Sequence, residues 1–194
     1  LQPYLPGRSP WNIVLSVPPK QAGARASYNL TLTSDLHGTV VKLPPPLGKA
    51  ANEKRTLQIA TRLEENDDLV LDLTYTPNIR ALLELTDYRN KPHFNRGELR
   101  INAGPPKLPE RTGLAVVAHL VHFEPVQSLS VGSDLSLPPW LSGFQAQFDE
   151  LTLGNRTFAN VGIDTTIRKD MATIRVRGKT LAGQLNLPTG SIIK

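Results

Sequence analysis

The stretch Leu57-Gln-Ile-Ala-Thr-Arg-Leu-Glu-Glu-Asn-Asp-Asp-Leu-Val-Leu-Asp-Leu-Thr-Tyr75 decides the fold class. Leu57, Ile59 and Leu63 recur at even spacing. After the acidic turn Glu64–Asp68, the run Leu69, Leu71, Leu73, Tyr75 does so without a break. Period two is the signature of a strand with one face toward apolar surroundings, and two such runs around a polar turn predict a β-hairpin.

The same grammar extends outward in both directions. Trp11, Ile13, Leu15 and Val17 alternate with Asn12 and Ser16, and Tyr28, Leu30 and Leu32 alternate with Asn29, Thr31 and Thr33. Toward the C-terminus, Glu98–Asn102, Phe144–Phe148, Val161–Ile167, Ala172–Val176 and Leu181–Leu187 are short runs bounded by Gly, Pro, Asn or Asp. About ten to twelve strands are expected. Pro 17 and Gly 14, scattered along 194 residues, supply the turns that so many strands require. Helix-favouring composition occurs only in Ala50–Arg62 and Asn78–Thr86. The latter is assigned as strand, with a short helical turn possible after Gly48. Gly113–Phe123 is apolar on both faces, with Leu114, Val116, Ala118 and Leu120 on one and Ala115, Val117, Val121 and Phe123 on the other, which predicts a central or doubly covered strand. The prolines of Leu137-Pro-Pro-Trp140 mark a seam, dividing the chain into segments 1–137 and 138–194 that form one continuous structure.

Composition narrows the chemistry. With no cysteine, disulfides, thiolate metal sites and a cysteine nucleophile are excluded. The net charge of +5 comes from dispersed residues such as Arg96/Arg100, Lys107/Arg111 and Arg168/Lys169/Arg175/Arg177. Acidic residues lie between many of them, and no aromatic residues are interleaved. A solvated outer face is expected first, anionic lipid headgroups second, and nucleic acid is not expected.

Of four histidines, His119 and His122 have a spacing that suits a metal on a helix, but in a strand it sends them to opposite faces. His37 and His93 fall in a turn and a polar loop. No nucleophile elbow, zinc-protease motif or phosphate loop occurs, and Glu64/Glu65, Asp67/Asp68 and Asp149/Glu150 are adjacent pairs that a strand would splay apart. No catalytic residue, metal or cofactor is expected, and the chain reads as a non-enzyme. Asn29-Leu-Thr31 and Asn155-Arg-Thr157 match the glycosylation pattern at the level of chance, and Leu43-Pro-Pro-Pro-Leu47 reads as a rigid strand end rather than a polyproline ligand. The sequence opens at Leu1 without a charged region followed by an apolar stretch, so neither a signal peptide nor an anchor is visible in it, and it stops after a strand-like run; both ends read as cut, the expectation being an excised piece of a longer polypeptide.

Two segments carry more specific information. Asp35-Leu-x-Gly38 followed by Leu43-Pro-x-Pro-Leu-x-Lys49, and Leu108-Pro-x-x-x-Gly-Leu114 leading into a strand, resemble the characteristic segments of the YhdP branch of the AsmA-like proteins. Phe148–Phe158, Val161–Ile167 and Lys179–Pro188 are similar to the strand-turn-strand units of the same family, in the same order. At Met171-Ala-Thr-Ile174 the chain departs from the glycine-tryptophan start expected for the strand there. The resemblance implies an all-β, mainly antiparallel, long curled sheet forming an open apolar groove, a fragment of a larger repeating β-groove protein. It further implies an inner-membrane-anchored bacterial envelope protein reaching across the periplasm, carrying phospholipid between membranes by sheltering the acyl chains. Membrane contact would be made by parts of the parent chain not present here, and other envelope proteins are possible partners. The residues that could line such a groove are Trp11, Ile13, Leu15, Tyr28, Leu30, Leu32, Leu57, Ile59, Leu69, Leu71, Leu73, Leu99, Ile101, Leu114, Val116 and Leu120. The alternative is a structural or assembly protein of the envelope that binds other proteins at a sheet edge.

Overall fold

A computed structural model describes residues 4–17, 29–43, 46–63, 68–124, 140–168 and 171–188. The described residues form eleven strands and no helix: β1 (Asn12–Ser16), β2 (Asn29–Ser34), β3 (Leu57–Leu63), β4 (Leu69–Tyr75), β5 (Ile79–Thr86), β6 (His93–Ile101), β7 (Gly113–Phe123), β8 (Leu141–Leu153), β9 (Arg156–Arg168), β10 (Met171–Arg177) and β11 (Gly183–Pro188). Their order in the sheet is their order in the chain, and the sheet is not closed. The contacts divide the chain into two compact units, Leu1–Asn95 and Arg96–Lys194. The seam expected near residue 138 lies largely in 125–139, outside the described residues.

The first unit is an antiparallel meander. Leu57 pairs with Tyr75 and Leu63 with Leu69, so the hairpin read from the sequence is formed. Ile79–Thr86, whose composition suits a helix, is a strand paired along its length with β4. Its leucines complete rows begun by β3 and β4, and packing overrides propensity. The helical turn considered after Gly48 is a single β-turn, closed by Glu53 N–H donating to the Ala50 carbonyl. At the unit's end, the Thr86 hydroxyl meets His93 Nε2 at 2.7 Å and Asn95 Nδ2 donates to Glu84 Oε1 at 2.6 Å, tying the first residues of β6 to β5.

The second unit departs from the meander. β6 pairs with β7 and β7 with β8 in parallel, before β8, β9, β10 and β11 resume antiparallel pairing. β7 is thus central, as its two apolar faces predict. A parallel step obliges the chain to return the length of the strand before the next one starts. Between β6 and β7 that return is the segment 102–112, and the Leu108–Gly113 motif forms its end and the first residue of β7.

Candidate functional site: an apolar sheet face

Residues paired across a ladder share a face of the sheet. In the first unit the pairings align Ile13, Leu32, Ile59, Leu73 and Ala81 in one row and Leu15, Leu30, Thr61, Leu71 and Leu83 in the next. Flanking rows hold Leu57, Tyr75 and Ile79 on one side and Leu63, Leu69 and Leu85 on the other. The opposite face carries Thr33, Gln58, Thr74 and Arg80, then Thr31, Ala60, Asp72 and Leu82. One side of the sheet is therefore almost wholly hydrocarbon and the other mostly polar.

Such a face is ordinarily buried under a second layer. Here Leu30, Leu32, Leu57, Ile59, Leu69, Leu71 and Leu73 are only half-buried, and at the β1 edge Ile13 and Leu15 are each 61% exposed. A fully covered leucine contributes roughly 2 kcal/mol, and a half-covered one leaves a large part of that uncollected. Trp11, just ahead of β1, is exposed, and Tyr28 lies outside the described residues.

The second unit repeats the segregation. Leu99, Val116, Phe144, Thr165, Ile174 and Leu185 share a row, beside Ile101, Ala118, Ala146, Ile163 and Val176. Leu114 and Leu120 lie on the same face of β7 and are half-buried. Coverage is uneven. Toward the ends of β7 and β8, Phe148, Leu151 and Val161 are buried, and the Phe123 ring stacks on Phe148 with centroids 5.3 Å apart. Phe148 and Leu151 are an odd number of residues apart, so strict alternation fails there. Asn160, at φ 53°, is where the β9 backbone departs from a regular strand. This end of the apolar face is a packed cluster.

The other side of β6 explains how the face stays clear. Arg96, Glu98 and Arg100 project from alternate positions on the polar side, and each grips the returning segment. Arg96 Nη1 donates to the Pro109 carbonyl at 3.1 Å, Arg100 Nη1 to the Ala103 carbonyl at 2.9 Å, and Lys107 N–H donates to Glu98 Oε2 at 2.7 Å. Arg100 also clasps Glu98 with both Nε and Nη2, at 2.7 and 3.2 Å, and this hydrogen bond raises the arginine's pKa further. Arg96 and Arg100 are thus not the solvated outer face expected from their spacing. They hold a strap to the polar side, away from Leu99 and Val116.

The Asp35–Gly38 motif builds a compact cap between β2 and β3. Three segments run side by side: Lys42, Val40 and Arg8 N–H donate to the carbonyls of Tyr4, Pro6 and Gly38, and Val41 and Lys49 exchange both backbone bonds. Asp35 Oδ1 accepts from His37 N–H at 3.0 Å, which lowers the carboxyl's pKa. Gly38 has φ 90°, and a Cβ there would lie 2.4 Å from the Arg8 carbonyl oxygen, so only glycine fits. The Lys49 ammonium is buried and donates to the carbonyls of Leu36, Thr39 and Ala50, using all three of its N–H bonds. Nothing in the spacing of Lys49 announced that role.

His119 and His122 engage separate acids, Asp149 at 2.8 Å and Glu150 at 3.4 Å, and the described residues hold no cluster of three metal-ligating groups. A cavity of about 440 Å³ lies among the side chains of Gln145, Gln147, Asp164 and Arg177, over the bare Gly162. Those side chains belong to the polar side, and Ala118, Ala146 and Ile163, from the apolar rows, also contribute to the lining.

In each unit, strands with hydrocarbon on one side and mostly polar side chains on the other make an architecture that offers a face. The chain belongs to the YhdP protein family, whose model matches residues 1–191. At family level this is an AsmA-like bacterial envelope protein of the lipid-transport type, and the family is not a known enzyme family. No curated protein and no solved structure matches the chain.

Proposed function

We propose that the apolar face is a bed for phospholipid acyl chains, and that the chain is a segment of a periplasmic carrier moving phospholipid between the inner and outer membranes. The observation that carries this reading is the set of leucine- and isoleucine-rich rows across β2–β5, incompletely buried and opposite a mostly polar face.

Each methylene transferred from water to hydrocarbon is worth roughly 0.8 kcal/mol, so an exposed sixteen-carbon chain costs on the order of 10 kcal/mol. Acyl chains laid on the leucine rows recover that energy and complete the partial burial of the leucines. Adjacent rows are chemically alike, so displacement from one to the next meets little change in energy. No bond is made or broken, and no catalytic group is required.

A photoreactive residue at Leu71 or at Val116 tests this. Crosslinking to phospholipid in cells, with the same lipid found by mass spectrometry in an organic extract of the purified protein, is the expected result. Capture of protein alone would favour the second reading, envelope assembly by strand addition, which the exposed outer edge of β1 with Ile13 and Leu15 makes physically possible. Absence of lipid from both measurements would overturn the carrier reading.

A further inference from the structure

The polar side of the second unit has a gap in its side chains at Gly162. The ladder pairs Gly162 with Gln147 on β8 and with Arg177 on β10, and Asn160 and Asp164 stand two residues to either side of it along β9. All five line the cavity of about 440 Å³, so the missing side chain leaves a notch ringed by polar residues on four sides. The backbone at Gly162 does not call for glycine. Its φ lies outside the left-handed region, and an added Cβ would meet the flexible Gln147 Oε1 at 3.1 Å and the Arg177 carbonyl oxygen at 3.8 Å. Glycine inside a strand weakens it and marks a place where another group approaches the backbone closely.

The ring offers both kinds of hydrogen-bonding group. Gln147 Oε1, an acceptor, hangs over Gly162, and the exposed Arg177 on the far side of the notch carries only donors. Two ladder steps of about 4.8 Å each separate these strands, room for a single amide group with a hydrogen bond on either side. Asp164 accepts from Gln145 Nε2 through Oδ2 at 2.9 Å and keeps Oδ1 for another donor, while Arg175, opposite Asp164 in the ladder, turns to Gln184 Oε1 at 3.4 Å. Val117, Ala146 and Ile163 add hydrocarbon to the lining.

We propose that this cavity binds the acetamido group of an N-acetylated amino sugar, its N–H donating to Gln147 Oε1, its carbonyl accepting from Arg177 and its methyl lying over Gly162, with Asp164 and Gln145 taking ring hydroxyls. A trans secondary amide directs its N–H and its C=O in opposite directions, and the acceptor and the donor of the notch face one another in the same way. One carboxylate and one guanidinium in the wall suit a neutral ligand and disfavour an anion or a cation alone. Walls on four sides admit a pendant group and turn away an extended polypeptide, and the volume has room for the sugar ring that carries the amide. The polar walls make this site independent of the reading of the apolar face.

The test titrates the full chain with N,N′-diacetylchitobiose, with cellobiose and with N-acetylglycine methylamide, and follows saturation transfer from protein to ligand by NMR. Diacetylchitobiose is bound, with the strongest transfer at its acetyl methyls, and cellobiose, which carries hydroxyls in place of the acetamido groups, is not. Arg177→Gln weakens binding about tenfold through loss of a charge-assisted hydrogen bond. Gly162→Val fills the notch and abolishes the transfer, and because valine suits a strand it leaves the thermal midpoint at or above the parent's. The Arg177 side chain makes no hydrogen bond or ion pair among the described residues, so Arg177→Gln alone is informative if Gly162→Val fails to fold. Equal binding of cellobiose, or transfer spread evenly over the ring protons, overturns the acetamido assignment. N-acetylglycine methylamide bound as tightly as the disaccharide makes this a peptide-group site and overturns the sugar. No binding of diacetylchitobiose by the parent, or unchanged binding in both variants, overturns the site itself.

Discussion

The backbone N–H of Lys107 donates to the carboxylate of Glu98 at 2.7 Å, fastening the middle of the β6–β7 return to the polar side of β6. Glu98 is buried and simultaneously clasped by Arg100, so its removal strands a guanidinium and an amide together.

Glu98→Ala is accordingly expected to destabilise the second unit by about 3 kcal/mol and to speed tryptic cleavage at Lys107 and Arg111. Glu98→Gln keeps an acceptor for the amide and loses the charge, so it should fall between Ala and the parent. Urea unfolding with timed proteolysis checks both. Equal protection of the three proteins would mean that the strap does not depend on this carboxylate.

The Lys49 ammonium replaces a whole set of missing backbone partners in the cap. Lys49→Met leaves the carbonyls of Leu36, Thr39 and Ala50 without its donors and is expected to cost about 3 kcal/mol by chemical denaturation. Hydrogen exchange should rise at the amides of Val40, Val41 and Lys42, and exchange in β9 and β10 should stay as it was.

Glycine positions separate into two kinds. Gly38→Ala forces a Cβ to 2.4 Å from a backbone oxygen at φ 90° and should destabilise the cap by more than about 2 kcal/mol. Gly183→Ala, in an extended strand with nothing within 4 Å, should be neutral or slightly stabilising. Thermal melts of the two variants give the comparison directly.

Asp35 gives the cap a pH dependence of definite sign. Its carboxyl is held below the ordinary value of 3.8, chiefly by the His37 amide. A group with a lowered folded pKa adds stability above its unfolded pKa and loses it as pH falls through the folded one. Cap amides should therefore exchange faster as pH drops below about 4, after correction for intrinsic rates. Asp35→Asn should flatten that response.

Charge on the apolar face distinguishes a bed from a core. Leu71 is half-buried and Val161 fully so. Leu71→Asp should cost about 1–2 kcal/mol and abolish lipid retention nearby, whereas Val161→Asp should cost more than about 4 kcal/mol and unfold its unit. Similar losses at both positions, by denaturant titration, would make the first unit's face an ordinary interior.

Much of this was legible in the sequence because period-two spacing carries facial information directly. Leu57, Ile59, Leu69, Leu71 and Leu73 could be placed on one side of a sheet before any pairing was known, and the pairings put them there. Strand direction has no such signature. The run Glu98–Asn102 reads the same whether its neighbour is parallel or antiparallel, so the two parallel steps at β7 were not foreseen. Arg96 and Arg100 looked like surface charge because the groups they hold include the backbone carbonyls of Pro109 and Ala103, 13 and 3 residues away, and a carbonyl partner leaves no mark in the side-chain pattern. Alternation also breaks at Asn160, where a left-handed residue lets Phe148 and Leu151 bury together. Lys49 was visible only as part of a motif, since a buried lysine and a solvated one share the same letter.

Placing all eleven strands in one sheet means that each interior strand is secured by just the two beside it. Cohesion in such a ribbon accumulates neighbour by neighbour, as in a solenoid, and not through one shared centre. Fraying should therefore begin at β1, whose five residues have a partner on a single side, and travel inward one strand at a time.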